Sequence, residues 1–178
     1  MTNRLTWISA TLTVVFWSSA FTGIRVGLMA FTPYHLVLLR FLVASAVFLV
    51  IAPFAKIGLL PRRAWPRVVA SGVLGLTVYH TCLSVGELKV SPATAGFIVS
   101  LAPILTGLFS LWLRRERYSP MGWIGVAMSL AGVLTITGVG SPWRADTLWI
   151  VVATVATSLY FVIEKPLLEE FRPLEVTA

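Results

Sequence analysis

Six side chains of this 178-residue sequence could bind or move charge within an otherwise apolar chain: Trp17, Arg25, Arg40, Tyr79, His80 and Glu87. Glu87 is the sole acid in the first 115 residues. An ionisable group set in apolar sequence is costly and commonly marks a solute path or a proton relay. Glu87 is therefore a candidate coupling carboxylate; the plainer alternative is a solvated residue pairing with Lys89. Arg25 and Arg40 can join it, with His35 at similar depth, in one charged cluster that gates or recognises an anionic group such as a carboxylate. Alternatively, each arginine carries its charge to the lipid headgroups along its own apolar stem. His80, within Tyr79-His80-Thr81, titrates near neutral pH and can exchange protons, or it is a hydrogen-bonded packing residue. Trp17 can line the same space.

The wider chemistry of the chain is sparse. No HExxH, GxSxG or GxxxxGK[ST] pattern is present, and no pair of intramembrane carboxylates. The reading is not an enzyme. Two histidines, His35 and His80, and one cysteine, Cys82, make a transition-metal site improbable, and no cofactor is expected. Cys82 lies in an apolar stretch and reads as a buried small residue.

These groups must be held by elements whose nature the composition dictates. Hydrophobic residues make up 57% and charged residues 12% of the chain, with a mean hydropathy of +0.88. A soluble fold needs about twice that charged fraction, so the fold class is all-α: a polytopic bundle of about six membrane helices at roughly 20 residues each. The net charge of +7 does not imply a nucleic acid, because the basic residues fall mainly between apolar runs, where they orient a membrane chain. The expected partners are the lipid bilayer and a small-molecule substrate.

Punctuation then places the helices. Thr32-Pro33, Ser91-Pro92 and Ser119-Pro120 each precede an apolar run; the hydroxyl caps free N–H groups and proline at the first helical position gives up no needed donor. Pro66 opens another run, and Ser141-Pro142-Trp143 forms a short loop before the last. The helices are predicted near 5–27, 33–55, 67–87, 92–113, 120–139 and 147–168. The first run, Leu5 to Ile24, follows Arg4, and Ser18-Ser19-Ala20 loosely resembles a signal cleavage site. The apolar run continues past that point, which favours a span. Arg4, Lys56, Arg62, Arg63, Arg67, Arg114, Arg115 and Arg117 fall on one side, against Lys89 and Arg144 on the other. Eight against two predicts a cytoplasmic N-terminus in a multi-pass protein of the plasma or inner membrane.

Several smaller features have structural readings. Gly122, Gly125, Ser129 and Gly132 recur at helical spacing and, like Gly72 and Gly75, suit close helix packing. Pro103 is expected to kink the fourth helix. Trp7, Trp65, Trp143 and Trp149 sit where an interfacial aromatic belt would lie. Arg114-Arg115-Glu116-Arg117 reads as a cytoplasmic turn in contact with anionic lipid.

Residues 18–38 set against 158–178 align Ser18 with Ser158, Phe21 with Phe161, Leu28 with Leu168, Phe31 with Phe171 and Pro33 with Pro173, while Arg25 meets Lys165. The two segments are five helices apart, so a second copy would enter the membrane inverted. Inverted repeats are a common transporter architecture, with the substrate site near midplane between the halves.

The sequence also resembles the EamA-type transporters of the drug/metabolite transporter superfamily. The resemblance rests on Trp17-Ser18-Ser19-Ala20-Phe21 with Ile24-Arg25, on Leu39-Arg40-Phe41, and on the block from Gly86-Glu87-Leu88-Lys89-Val90-Ser91-Pro92 to Ala102-Pro103. It continues through Arg115-Glu116-Arg117 into Gly122, Gly125 and Gly132-Val133. It implies a ten-helix carrier of two five-helix repeats that moves small metabolites or exports amino acids and drugs by alternating access. On that pattern, residues 1–140 are the first repeat, and 141–178 are a loop and the first helix of an incomplete second. The chain is then expected to be a truncated product, or to complete itself by association, for instance as a homodimer. A non-transporting membrane interaction subunit, or an inactive carrier remnant, is the competing expectation.

Overall fold

The computed structural model describes residues 2–115, 119–137 and 145–178, and no strand occurs among them. Helix α1 is Thr2–Gly27, α2 is Pro33–Ala55, α3 is Arg62–Gly86 and α4 is Pro92–Leu113. Helix α5 is Pro120–Thr137, α6 is Thr147–Glu170, and a short α7 covers Pro173–Thr177. Five of them, α1 to α4 and α6, are long and apolar enough among the described residues to cross a membrane. The fifth predicted span is present as the 18-residue α5 but falls outside that set. The positions 138–144 that should end it and form the next loop lie outside the described residues, as do Glu116 and Arg117.

The three hydroxyl–proline starts are built as their chemistry requires. Thr32 Oγ1 accepts from the His35 N–H, Ser91 Oγ from Thr94 at 3.2 Å and Ser119 Oγ from Gly122 at 3.2 Å. Each satisfies one of the four N–H groups that a helix start leaves open. In α4 the expected kink is an interruption at Ser100–Leu101, with Pro103 in the first turn of the resumed helix. Helix α3 is less regular than predicted: a 3₁₀ turn at Arg62–Ala64 leads in, and a π-helical stretch, Val73–Val78, sits in its middle. Trp7, Trp65 and Trp149 are all largely exposed.

Burial is uneven. Half of the apolar stretch of α6 is buried, against 6% for α1 and for α2. Helix α6 is thus the centre of the bundle, packed against α3 and α4. It runs antiparallel to α3. Gly86 meets Ile150 and Trp149, Gly75 meets Tyr160, and Arg63 meets Glu170. It runs parallel to α4, since Ser158 Oγ donates to the Ala102 carbonyl at 3.2 Å and Arg114 pairs with Glu169 at 3.4 Å.

Lipid is as apolar as leucine, so hydrophobicity gives helices little reason to associate, and a single interhelical hydrogen bond adds about 0.6 kcal/mol. Close packing must carry the seam. At Gly75 an added Cβ would come within 2.5 Å of Tyr160 Cδ2, and at Gly86 it would overlap Ile150 Cδ1. The other glycines tested do not follow the expectation: a Cβ on Gly72 or Gly125 would meet nothing within 4 Å. The side chains around Ser129 and Gly132 lie outside the described residues.

Candidate functional site

The end of α3 carries the candidate site. His80, Ser84 and Glu87 follow one another at i, i+4 and i+7, so the helix presents them on one face. Ser84 and Glu87 are both 0% exposed. Helix α2 packs against this part of α3, and α1 packs against the first half of α4; these helices supply the cations. Arg25 on α1 donates through Nη1 to the Glu87 backbone carbonyl, and Arg25 and Arg40 both act electrostatically on the Glu87 carboxylate. The Glu87 side chain is therefore neither solvated nor paired with Lys89, which is exposed. Burial opposes a charge on this acid and the two guanidinium groups oppose its loss.

The aromatic residues adjoin this face. Trp17 acts on the Tyr79 hydroxyl. The His80 ring stands edge-on to Tyr79 and to Phe41, with centroids 4.7 and 5.0 Å away. All six sequence candidates thus lie in linked positions on α1, α2 and α3. His35 does not join them: it is exposed and its Nδ1 is 2.8 Å from Thr32 Oγ1. Cys82 is buried in the apolar core beside this face.

The polar atoms of this cluster are under-satisfied. Six buried side-chain N or O atoms among the described residues have no hydrogen-bond partner, and five belong here: Arg40 Nη1, His80 Nδ1, Ser84 Oγ, Glu87 Oε1 and Glu87 Oε2. Such atoms usually number only a few in a native structure, and their concentration calls for a reason. Chemically, the group offers a carboxylate acceptor, a guanidinium donor, an imidazole nitrogen and a hydroxyl along one face of α3 and the helix beside it. It suits a small polar solute, an ion or water. No three His, Cys, Asp or Glu side chains among the described residues come together to hold a metal.

Known proteins supply the family. Residues 5–138 match the model of the EamA-like transporter family. The chain belongs to this family. It is 33% identical over 97% of its length to an uncharacterized transporter of Archaeoglobus fulgidus, and 35% identical over 92% to the uncharacterized transporter YdfC of Bacillus subtilis. It is 32% identical over 98% of its length to a probable terminal-alkyne amino-acid exporter of Streptantibioticus cattleyicolor. The alignments cover 62%, 55% and 59% of those relatives, so this EamA-like chain spans somewhat over half their length. No solved structure matches it. The names of family and relatives are those of transporters rather than enzymes, and a multi-pass membrane protein is what the apolar helices form.

Two residues of interest escaped the sequence reading. Ser84 is flagged by its i+4 spacing from His80. Glu164 is 7% exposed on α6, although it stands beside Lys165 near a charged helix end. Its signal was periodicity: Glu164 is seven residues beyond Thr157 and three before Leu167, both buried on the same helix.

Proposed function

We propose that this chain forms the substrate-binding part of a carrier for a small polar or amphipathic metabolite, working by alternating access, with the cluster around Glu87 as its substrate or coupling site. The observation that supports this most is the set of unpartnered polar atoms on Arg40, His80, Ser84 and Glu87. A cluster that served packing alone would have closed its own hydrogen bonds, because an unmade bond to a buried group costs about 1–3 kcal/mol. An exchangeable solute or water supplies the missing partners without being part of the chain.

On this reading Arg40 and Arg25 hold an anionic group, Glu87 exchanges with the solute or with a proton, and Trp17 and Tyr79 bound the space. Residues 1–140 form one repeat and 141–178 begin an inverted second, with the N-terminus and the arginine-rich connections cytoplasmic. The relative named as a probable terminal-alkyne amino-acid exporter makes amino acids the first solutes to try.

The test is water access. In a Cys82→Ala background, Ser84→Cys should react with a membrane-impermeant thiol reagent from one side of the membrane. Glu87→Gln and Arg40→Gln should then abolish solute-dependent flux. A Ser84 position that is dry from both sides would instead favour a packing subunit that does not transport.

A further inference from the structure

Glu164 is the buried acid that this function does not use. It sits one turn beyond Tyr160 on the same face of α6, and the two side chains act on each other electrostatically. The Tyr160 ring is in turn fixed over Gly75 in the π-helical stretch of α3. The antiparallel register of α3 and α6 puts Glu164 level with Ser71, which is 5% exposed. The parallel register of α4 and α6 puts it between the levels of Thr106 and Ser110. Ser110 is buried, and Thr106 Oγ1 is the sixth of the unpartnered buried atoms. Three helices thus place a carboxylate and three hydroxyls within about one turn of the same height, with the Tyr160 phenol one turn away. An ionised carboxylate has about four lone-pair positions.

This level is next to an opening. Between the start of α3 and the end of α6 lies a cleft of about 350 Å³, lined among others by Arg63, Arg67, Leu167 and Glu170. Its inner boundary, Leu167, is 1% exposed and lies one turn from Glu164. Arg63 is paired with Glu170, while Arg67 lines the cleft at the level of Leu168. The volume matches that of a small-molecule pocket, for which about 300 Å³ is the lower bound. The charges are arranged in order along the seam: Arg67 and the Arg63–Glu170 pair at the mouth, and Glu164 one turn deeper, behind the cleft lining.

We infer that this cleft, with Glu164 behind Leu167, is a second binding station, separate from the Glu87 cluster, for a small zwitterion. Its primary ammonium goes to Glu164, and its carboxylate goes to Arg67. An ammonium brings donors to a carboxylate that can accept several, and a bidentate guanidinium suits a carboxylate. The two stations lie roughly 20 Å apart along α6 at 1.5 Å per residue. The role of this station in a transport cycle rests on the carrier reading above, but its occupancy does not depend on flux.

The experiment reads that occupancy. In the Cys82→Ala protein, reconstituted in vesicles, Leu167→Cys is labelled with an impermeant maleimide in the presence of alanine, propylammonium or propionate. Ala64→Cys, a smaller change in the same cleft, is labelled in parallel. Alanine should slow labelling several-fold and propionate should not. Adding Glu164→Gln should remove the protection. Adding Arg67→Gln should weaken protection by alanine while leaving that by propylammonium. The inference is overturned if both cysteines resist labelling from either side, if alanine gives no protection, or if protection survives Glu164→Gln. Ser84→Cys reports on the Glu87 end, so either station can fail without the other.

Discussion

The two ends of the α3–α6 seam each bury an acid, and they do so by different means. Glu87 is enclosed by parts from separate helices: Arg25 from α1, Arg40 from α2, and His80 and Ser84 from α3. Glu164 stands one turn from Tyr160 on its own helix, and Tyr160 is seated against a single glycine on α3. The first arrangement exists only if α1 and α2, which are mostly exposed, stay docked. The second depends on the best-packed helix pair of the bundle. The Glu87 cluster is therefore the place where small helix movements would remake the polar contacts, and the α3–α6 seam is the frame against which they would move.

The contrast can be broken most severely at Arg40. Arg40→Leu removes one of two cations whose charge acts on buried Glu87. With no hydrogen bond between the side chains, the loss should exceed that of an exposed pair and stay below the roughly 3–5 kcal/mol of a directly paired buried charge. Chemical unfolding in detergent should show a large loss, and pairing the change with Glu87→Gln should recover much of it. A loss of about 1 kcal/mol or less, the range of exposed pairs, would mean that Arg40 and Glu87 do not act on each other.

The seam itself is sharpened by two glycines. Gly75→Ala pushes a methyl into the Tyr160 ring, and overpacking of that kind costs about 1–3 kcal/mol. Gly125→Ala meets open space and should stabilise the helix by about 0.5–1 kcal/mol, since alanine loses less backbone freedom than glycine. Opposite signs in thermal unfolding of the two variants would support α6 as the packed centre. Equal losses would contradict it.

The smallest effect is expected at the rim. Arg63 and Glu170 form an ion pair with side chains 74% and 44% exposed, so Arg63→Ala should change stability by about 0–1 kcal/mol, less in high salt. A loss comparable with that of Arg40→Leu would erase the distinction between the two ends.

Much of the architecture was legible in the amino-acid sequence because its causes are local. Threonine or serine before proline caps a helix whatever it packs against, and the boundaries near residues 33, 92 and 120 follow from that chemistry. Apolar runs long enough to cross a bilayer, and too few charges for a soluble surface, dictated a helical membrane bundle. The motifs from Trp17 to Gly132 carried the family, which the match over residues 5–138 shows.

What the sequence left open is which faces meet. In lipid all apolar faces look alike, so hydropathy could not tell that α6 is central, that Gly75 is filled while Gly125 is open, or that Glu87 is sealed from solvent. Nor could it separate Glu164 from its charged neighbours at a helix end. Only the packed bundle decides these points, because the burial of a side chain is a property of the neighbours brought to it and not of its own helix.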